Sequence, residues 1–289
     1  MTTAPELSAA PAVEAVGLPS RARQFLAVAR HSVADRWRLL LGWGAALVAM
    51  AVLQLSVYPS VAESAVDMQQ FVEQWPEALQ QTFSLDQYAT GTGFLNAELF
   101  TFMVPLTLIA VALGVGAAAT AGEEERGTAD LLFSLPLPRW LVVLAKTAAM
   151  VVCVAAIALA GFVALWIGAP LVDLDVTPAG LAAVTATLTL LALVFGGIAL
   201  LTGATTGSRA AALGAGTVAA LAAFLLHALG GLADWLEPWQ EWSPFHWALA
   251  PDPLANGVDW GAVTRLLVVF AALVVLSVAA FHRRDLSSR

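Results

Sequence analysis

The chain has 289 residues, of which 60% are hydrophobic and 12% charged, with a mean hydropathy of +0.80. So much apolar surface cannot be hidden in one soluble core, which excludes an ordinary soluble domain and makes lipid the solvent for much of the chain. The net charge of -8 offers nothing to nucleic acid, and the lone Cys153, set in an apolar run, excludes an intrachain disulfide and reads as a small buried residue.

Residues 1–19, rich in Ala and Pro, lack both the basic n-region and the apolar h-region of a cleavable signal peptide and read as a short disordered tail. An amphipathic interfacial helix is expected over 20–38, with Ser20 as its N-cap. Leu26, Ala29, Val33, Trp37 and, just beyond, Leu40 recur on one face, with Arg23, Arg30 and Arg36 off it at the headgroups. The alternative is a cytosolic extension of the first span. A bilayer core needs about 20 mainly apolar residues per helix, and six segments qualify, near 39–57, 100–121, 147–167, 179–201, 210–233 and 262–281.

Between spans one and two, Met68, Phe71, Val72, Trp75 and Leu79 form an apolar stripe opposed by Asp67, Glu73 and Glu77, the pattern of a surface helix. A turn follows at Thr90–Phe94, and Glu98 falls at the edge of span two. The loop between spans five and six holds Trp235, Trp239, Trp242 and Trp247 among four prolines. Its tryptophans suit an interfacial belt, and its prolines favour a short, broken or partly re-entrant segment. Glycines recur inside the spans at Gly114, Gly116, Gly196, Gly197, Gly214 and Gly216, where they permit close helix packing.

Charge gives the orientation. Twelve of the thirteen Lys and Arg residues lie before span one, between spans two and three, between four and five, or after six. The opposite loops hold none and carry twelve acids, from Glu63 to Asp259. By the positive-inside rule both termini are cytosolic.

The cytosolic loop 122–139 lies within the stretch AGEEERGTADLLFSLPLPRWLVVLAK. Glu123, Glu124 and Glu125 stand where span two leaves the membrane, and Gly127 breaks the helix. Thr128 can cap a short helix through Leu131, Leu132 and Phe133. Pro136 and Pro138 force extended backbone before Arg139 and Trp140 at the interface, and Lys146 is placed to snorkel back toward the headgroups. Exposed Leu131, Leu132 and Phe133 need either a docked protein or the bilayer surface as partner.

This stretch resembles the signature of ABC-2 type transporter permeases, E-x-x-x-G-T-x-x-x-L-L-x-x-P-x-x-R with a lysine further on. The matching residues are Glu123 or Glu124, Gly127, Thr128, Leu131, Leu132, Pro136, Arg139 and Lys146. Pro138 departs from the small residue more usual before the arginine. The resemblance implies an all-α membrane fold of six spans with an N-terminal elbow helix. It also implies that the loop is a coupling helix seated in a cleft of a cytosolic ABC ATPase dimer, with Leu131, Leu132 and Phe133 as apolar contact. Glu123–Glu125 and Arg139 would then position the loop by charge. A second permease copy, identical or homologous, is expected to complete the pathway.

The chain has no G-x-x-x-x-G-K-[ST], since its one lysine, Lys146, follows Ala145. ATP and Mg therefore belong to the partner, and no cofactor or catalytic role is expected of this chain. His227 and His246 can approach each other near the outer surface, with a packing or hydrogen-bonded role favoured over a membrane-enzyme site. Arg265, early in span six, is a lone outer-side charge suited to an anionic substrate or lipid headgroup, with outward snorkelling or pairing with Asp259 the favoured alternative. Acidic residues are essentially absent from the spans, which disfavours an ion-coupled carrier. Twelve arginines against one lysine point to a GC-rich prokaryote and its plasma membrane.

Overall fold

A computed structural model describes residues 20–63, 90–125, 138–232 and 235–283, and among them every regular element is helical. The expected tail, the surface helix around Met68–Leu79, and Gly127, Thr128, Leu131, Leu132, Phe133 and Pro136 lie outside the described residues. In chain order the longer helices are α1 (Arg21–Ala34), α2 (Trp37–Glu63), α3 (Gly91–Leu95), α4 (Met103–Glu125), α5 (Arg139–Gly168), α6 (Pro178–Thr206) and α7 (Arg209–Gly230). Three short helices follow, α8 (Glu237–Gln240), α9 (Pro244–Leu249) and α10 (Pro253–Asn256), before α11 (Trp260–Arg283). Six of the described segments are long and apolar enough to span a membrane, and all six coincide with the expected runs.

Helix ends follow local chemistry. Thr177 caps α6 by accepting from Gly180 N at 3.0 Å, with Pro178 at the first helical position where its missing N–H costs nothing. Gly207, at φ +67°, closes α6 in the left-handed region that glycine tolerates. Ser208 then caps α7 by accepting from Ala211 N at 3.2 Å, so two residues join spans four and five. Asp259 starts α11 by accepting from Gly261 N at 2.7 Å.

The bundle is organised around α6, which packs against α4, α5, α7 and α11. In spans two and four 67% of the apolar stretch is buried within the chain, against 17–22% in spans one, five and six, so α4 and α6 form the centre. Glycines let them approach. A Cβ on Gly196 would lie 3.0 Å from Ala112 Cβ and 3.1 Å from Ala112 O, and one on Gly116 would collide with Gly196 O. Buried hydroxyls turn back on their own helices, Thr147 to Val143 O and Thr187 to Ala183 O, leaving none of these groups unpaired in an apolar interior.

Several expectations need correction. The Thr90–Phe94 turn is helical: Thr90 Oγ1 accepts from Gly93 N at 3.0 Å, and span two starts at Gly91, passing through a π-helical turn at Asn96–Phe100. Phe94, Leu95 and Leu99 are wholly buried, and that packing outweighs the weak helix propensity of the glycines. Glu98 is consequently inside span two, accepting from Gln54 Nε2 of α2 at 3.2 Å, rather than at its edge.

The helix expected over 20–38 ends at Ala34, and a turn at Asp35–Arg36 separates it from α2. Ser20 holds the cap position but its side chain makes no capping bond. Its inward face carries Ser32 and Val33 against the bundle, while Leu26 and Trp37 are exposed, so the apolar stripe read from the sequence is split between two surroundings. A further correction, at Lys146, concerns the site.

Candidate functional site

At one end of the bundle α4 ends at Glu125 and α5 begins at Arg139, bracketing the loop that the sequence singles out. Glu123–Glu125 close α4; of their side chains nothing is described. Beneath this loop Ala119 of α4, Val143 of α5, Leu200 and Ala204 of α6 and Phe281 of α11 form a small buried cluster. Thr120 Oγ1 also donates to Leu200 O at 3.3 Å. The end of α4 and the start of α5 are thus both packed on the central helix α6. Trp140, in the first turn of α5, is 39% exposed.

Lys146 does not snorkel. It is only 6% exposed, two turns into α5 on the face carrying Val142, Val143 and Thr147, and it is partnered there. The physical reason is packing. The face of α5 that carries position 146 packs on neighbouring helices rather than on lipid, and a cation there is retained only by interactions within the protein.

Between α4 and α7 lies a cavity of about 400 Å³, lined by Thr101, Phe102, Pro105, Leu106, Ile109, Leu113, Leu213, Thr217, Leu221, Phe224 and Phe245. Its walls are apolar apart from the two threonines. No single-helix pattern reveals it, because Phe102, Phe224 and Phe245 come from three separate segments. Their rings meet at the far end from the loop: Phe102–Phe224 centroids are 5.7 Å apart and Phe224–Phe245 5.4 Å.

That far end is closed by α8–α10, each begun by proline at its first or second position, as the proline-rich sequence leads one to expect. Ser243 accepts from Phe245 N and donates to Ala223 O at 2.7 Å, and Gln240 Nε2 donates to His227 O at 2.7 Å, satisfying a carbonyl in the last turn of α7. Asp252, in left-handed backbone at φ +47°, accepts from Ala255 N and from buried Asn96 Nδ2 at 2.8 Å, which ties this segment to the π-turn of span two. Of the four tryptophans expected to form a belt, Trp235, Trp239 and Trp242 are 62–73% exposed, whereas Trp247 is half-buried beneath Arg265.

The structure brings His227 and His246 together, rings edge-on with centroids 5.7 Å apart and both Nδ1 atoms buried without a partner. Burial lowers the His246 imidazole below its ordinary range; nearby Glu241 opposes this and Arg265 reinforces it. Among the described residues no group of three or more His, Cys, Asp or Glu side chains is placed to hold a metal. Arg265 is exposed, stacked 5.7 Å over the Trp247 ring with Nε donating to Gly261 O at 3.3 Å. The alternative of pairing with Asp259 is not realised: that carboxylate caps α11, and Arg265 has no ion pair among the described residues.

A bundle of six helices long and apolar enough to cross a membrane, with an apolar cavity between two of them, defines a multi-pass membrane protein. The family model described as ABC-2 family transporter protein matches residues 26–286, so the chain belongs to that family. Its members are membrane subunits of transporters, not catalytic by themselves, and generally work with a cytosolic ABC ATPase. No curated protein matches the sequence at a significant level.

Proposed function

We propose that this chain is the permease subunit of an ABC exporter that, with a second permease copy, forms an ATP-driven pathway for an amphipathic substrate. The observation that carries this reading is the double use of span two. Its α4 section both lines the cavity, from Pro105 to Leu113, and ends at the loop whose sequence resembles the ABC-2 signature. A cytosolic ATPase dimer holding ATP and Mg would grip Leu131, Leu132 and Phe133, with Glu123–Glu125 and Arg139 aligning the loop. Closure of that dimer would tilt α4 against α7 and reshape the cavity. Gly127, Thr128 and Pro136 shape the loop, and buried Lys146 holds its descending stem to the bundle.

In this arrangement the cationic loops and both termini face the cytosol of a prokaryotic plasma membrane, and α1 is the elbow helix at its inner surface. The scant burial of α7 within one chain, 17% of its apolar stretch, leaves a lipid-sized face for the second copy. Arg265, held over Trp247 at the outer interface, meets a lipid phosphate or an anionic part of the substrate. Purification of the tagged chain from its native membranes in mild detergent tests the reading: an ABC ATPase is expected to accompany it, and recovery of the chain alone counts against the proposal.

A further inference from the structure

The contact between α7 and α9 is built in two layers. On the cavity side the Phe224 and Phe245 rings meet edge-on, 5.4 Å apart. One turn further along α7, and one residue further along α9, His227 and His246 repeat the same edge-on contact at 5.7 Å. Polar fastening includes Ser243 Oγ to Ala223 O and, from α8, Gln240 Nε2 to His227 O, each 2.7 Å. Gly230 admits Gln240 against the helix, where a Cβ would come within 2.8 Å of that side chain. Since Phe245 is itself part of the cavity wall, α9 is the cover over its end, and whatever loosens α9 opens the cavity on that side.

The histidine layer suits only the neutral state. An unpartnered buried Nδ1 is tolerable as a bare lone pair, whereas a charged imidazolium in that position is left without an acceptor. The groups facing the pair give little compensation. Helix α6, packed on α9, carries no titratable side chain from Pro178 to Thr206, and α7 offers only His227 at this end. Arg265 of α11 adds positive charge at His246 and Glu241 opposes it; α8, packed on α7, also carries Glu237. Asp252 is engaged by Asn96 and by its own cap, and Asp259 by the start of α11.

We propose that His227 and His246 form a proton-operated clasp, in which protonation of the facing rings drives α9 off the end of α7 and uncovers the cavity. The ligand is the proton, and the outcome is an outer cover that is closed at neutral pH and loosened by acid. The inference goes beyond the transport reading, and its test needs neither substrate nor ATPase, so the two can fail separately.

The test is hydrogen exchange read by mass spectrometry on the full chain in lipid nanodiscs, at about pH 7.5 and about pH 5, on either side of the imidazole range. After correction for intrinsic rates, residues 241–250 of the wild type are expected to exchange about tenfold faster in acid, while the α4–α6 seam is unchanged. His227→Gln and His246→Gln each abolish that difference, and His246→Arg, which fixes the charge, exchanges at neutral pH as the wild type does in acid. Equal protection of the wild type at both pH values overturns the proposal, and so does an acid response retained in either glutamine variant. If one variant does not fold, the wild type and the other decide.

Discussion

Replacing Gly196 tests whether the α4–α6 seam is the rigid element that carries motion from the loop. A Cβ at this position sits 2.8 Å from Met150 Sδ, 3.0 Å from Ala112 Cβ and 3.1 Å from Ala112 O, each short of ordinary contact by a few tenths of an ångström or more. The Met150 thioether can turn aside, but Ala112 O is backbone, so α4 itself must move. Overpacking of this kind costs about 1–3 kcal/mol, while exchanging glycine for alanine in a helix returns about 1 kcal/mol. Gly196→Ala is therefore expected to lose about 1 kcal/mol net, and Gly196→Val about 3 kcal/mol, since it adds bulk at the same contact. Gly214 provides the control. Nothing lies within 4 Å of a Cβ there, so Gly214→Ala should be neutral or stabilising by up to about 1 kcal/mol. Thermal unfolding of the purified chain, followed by tryptophan fluorescence, reads the effect at about 2–4 °C per kcal/mol. A Gly196→Val protein that melts with the wild type refutes the seam, as does a Gly214→Ala protein that falls as far as Gly196→Ala.

Three further outcomes follow from the same geometry. Asn96→Ala removes the 2.8 Å bond to Asp252 and should lower stability by about 1.5–3 kcal/mol, the range for a bond to a charged group, measured by the same melt. Thr217→Trp fills the cavity from α7; it should abolish extrusion of a fluorescent amphipathic amine from inverted vesicles while leaving the melting temperature and ATPase recovery unchanged. His246 has a folded pKa below its ordinary value, so the stability it contributes is complete above about pH 6.5 and is lost as the pH falls through the folded value. The melting temperature of the wild type should therefore fall on acidification more than that of His246→Gln.

Much of the architecture is legible in the sequence because lipid imposes a simple code. Uninterrupted apolar runs of bilayer length give all six spans, and proline at the first or second residue starts each of α8, α9 and α10. What stays hidden depends on tertiary packing. Thr90–Phe94 reads as a turn because its two glycines disfavour a helix, yet it is helical because Phe94 and Leu95 are completely buried. Ser32 breaks the apolar stripe of α1 and nevertheless faces inward, 9% exposed, where α1 packs on α5. Lys146 reads as a snorkelling cation until the packing of α5 on its neighbours shows which way position 146 points. The histidine contact was legible only as a proximity, because its edge-on geometry and orphaned nitrogens need the fold of α9. The cavity needs three segments at once, so no local periodicity announces it.

The most direct measurement is the ratio of ABC ATPase to permease recovered on a tag placed on this chain, compared between the wild type and Leu131→Glu/Leu132→Glu. The account predicts an ATPase on the wild type and a fall of at least about tenfold in the double variant, since two buried apolar contacts become carboxylates, with the melting temperature of the permease unchanged. An ATPase retained on the double variant at the wild-type ratio contradicts the assignment of this loop as the coupling element.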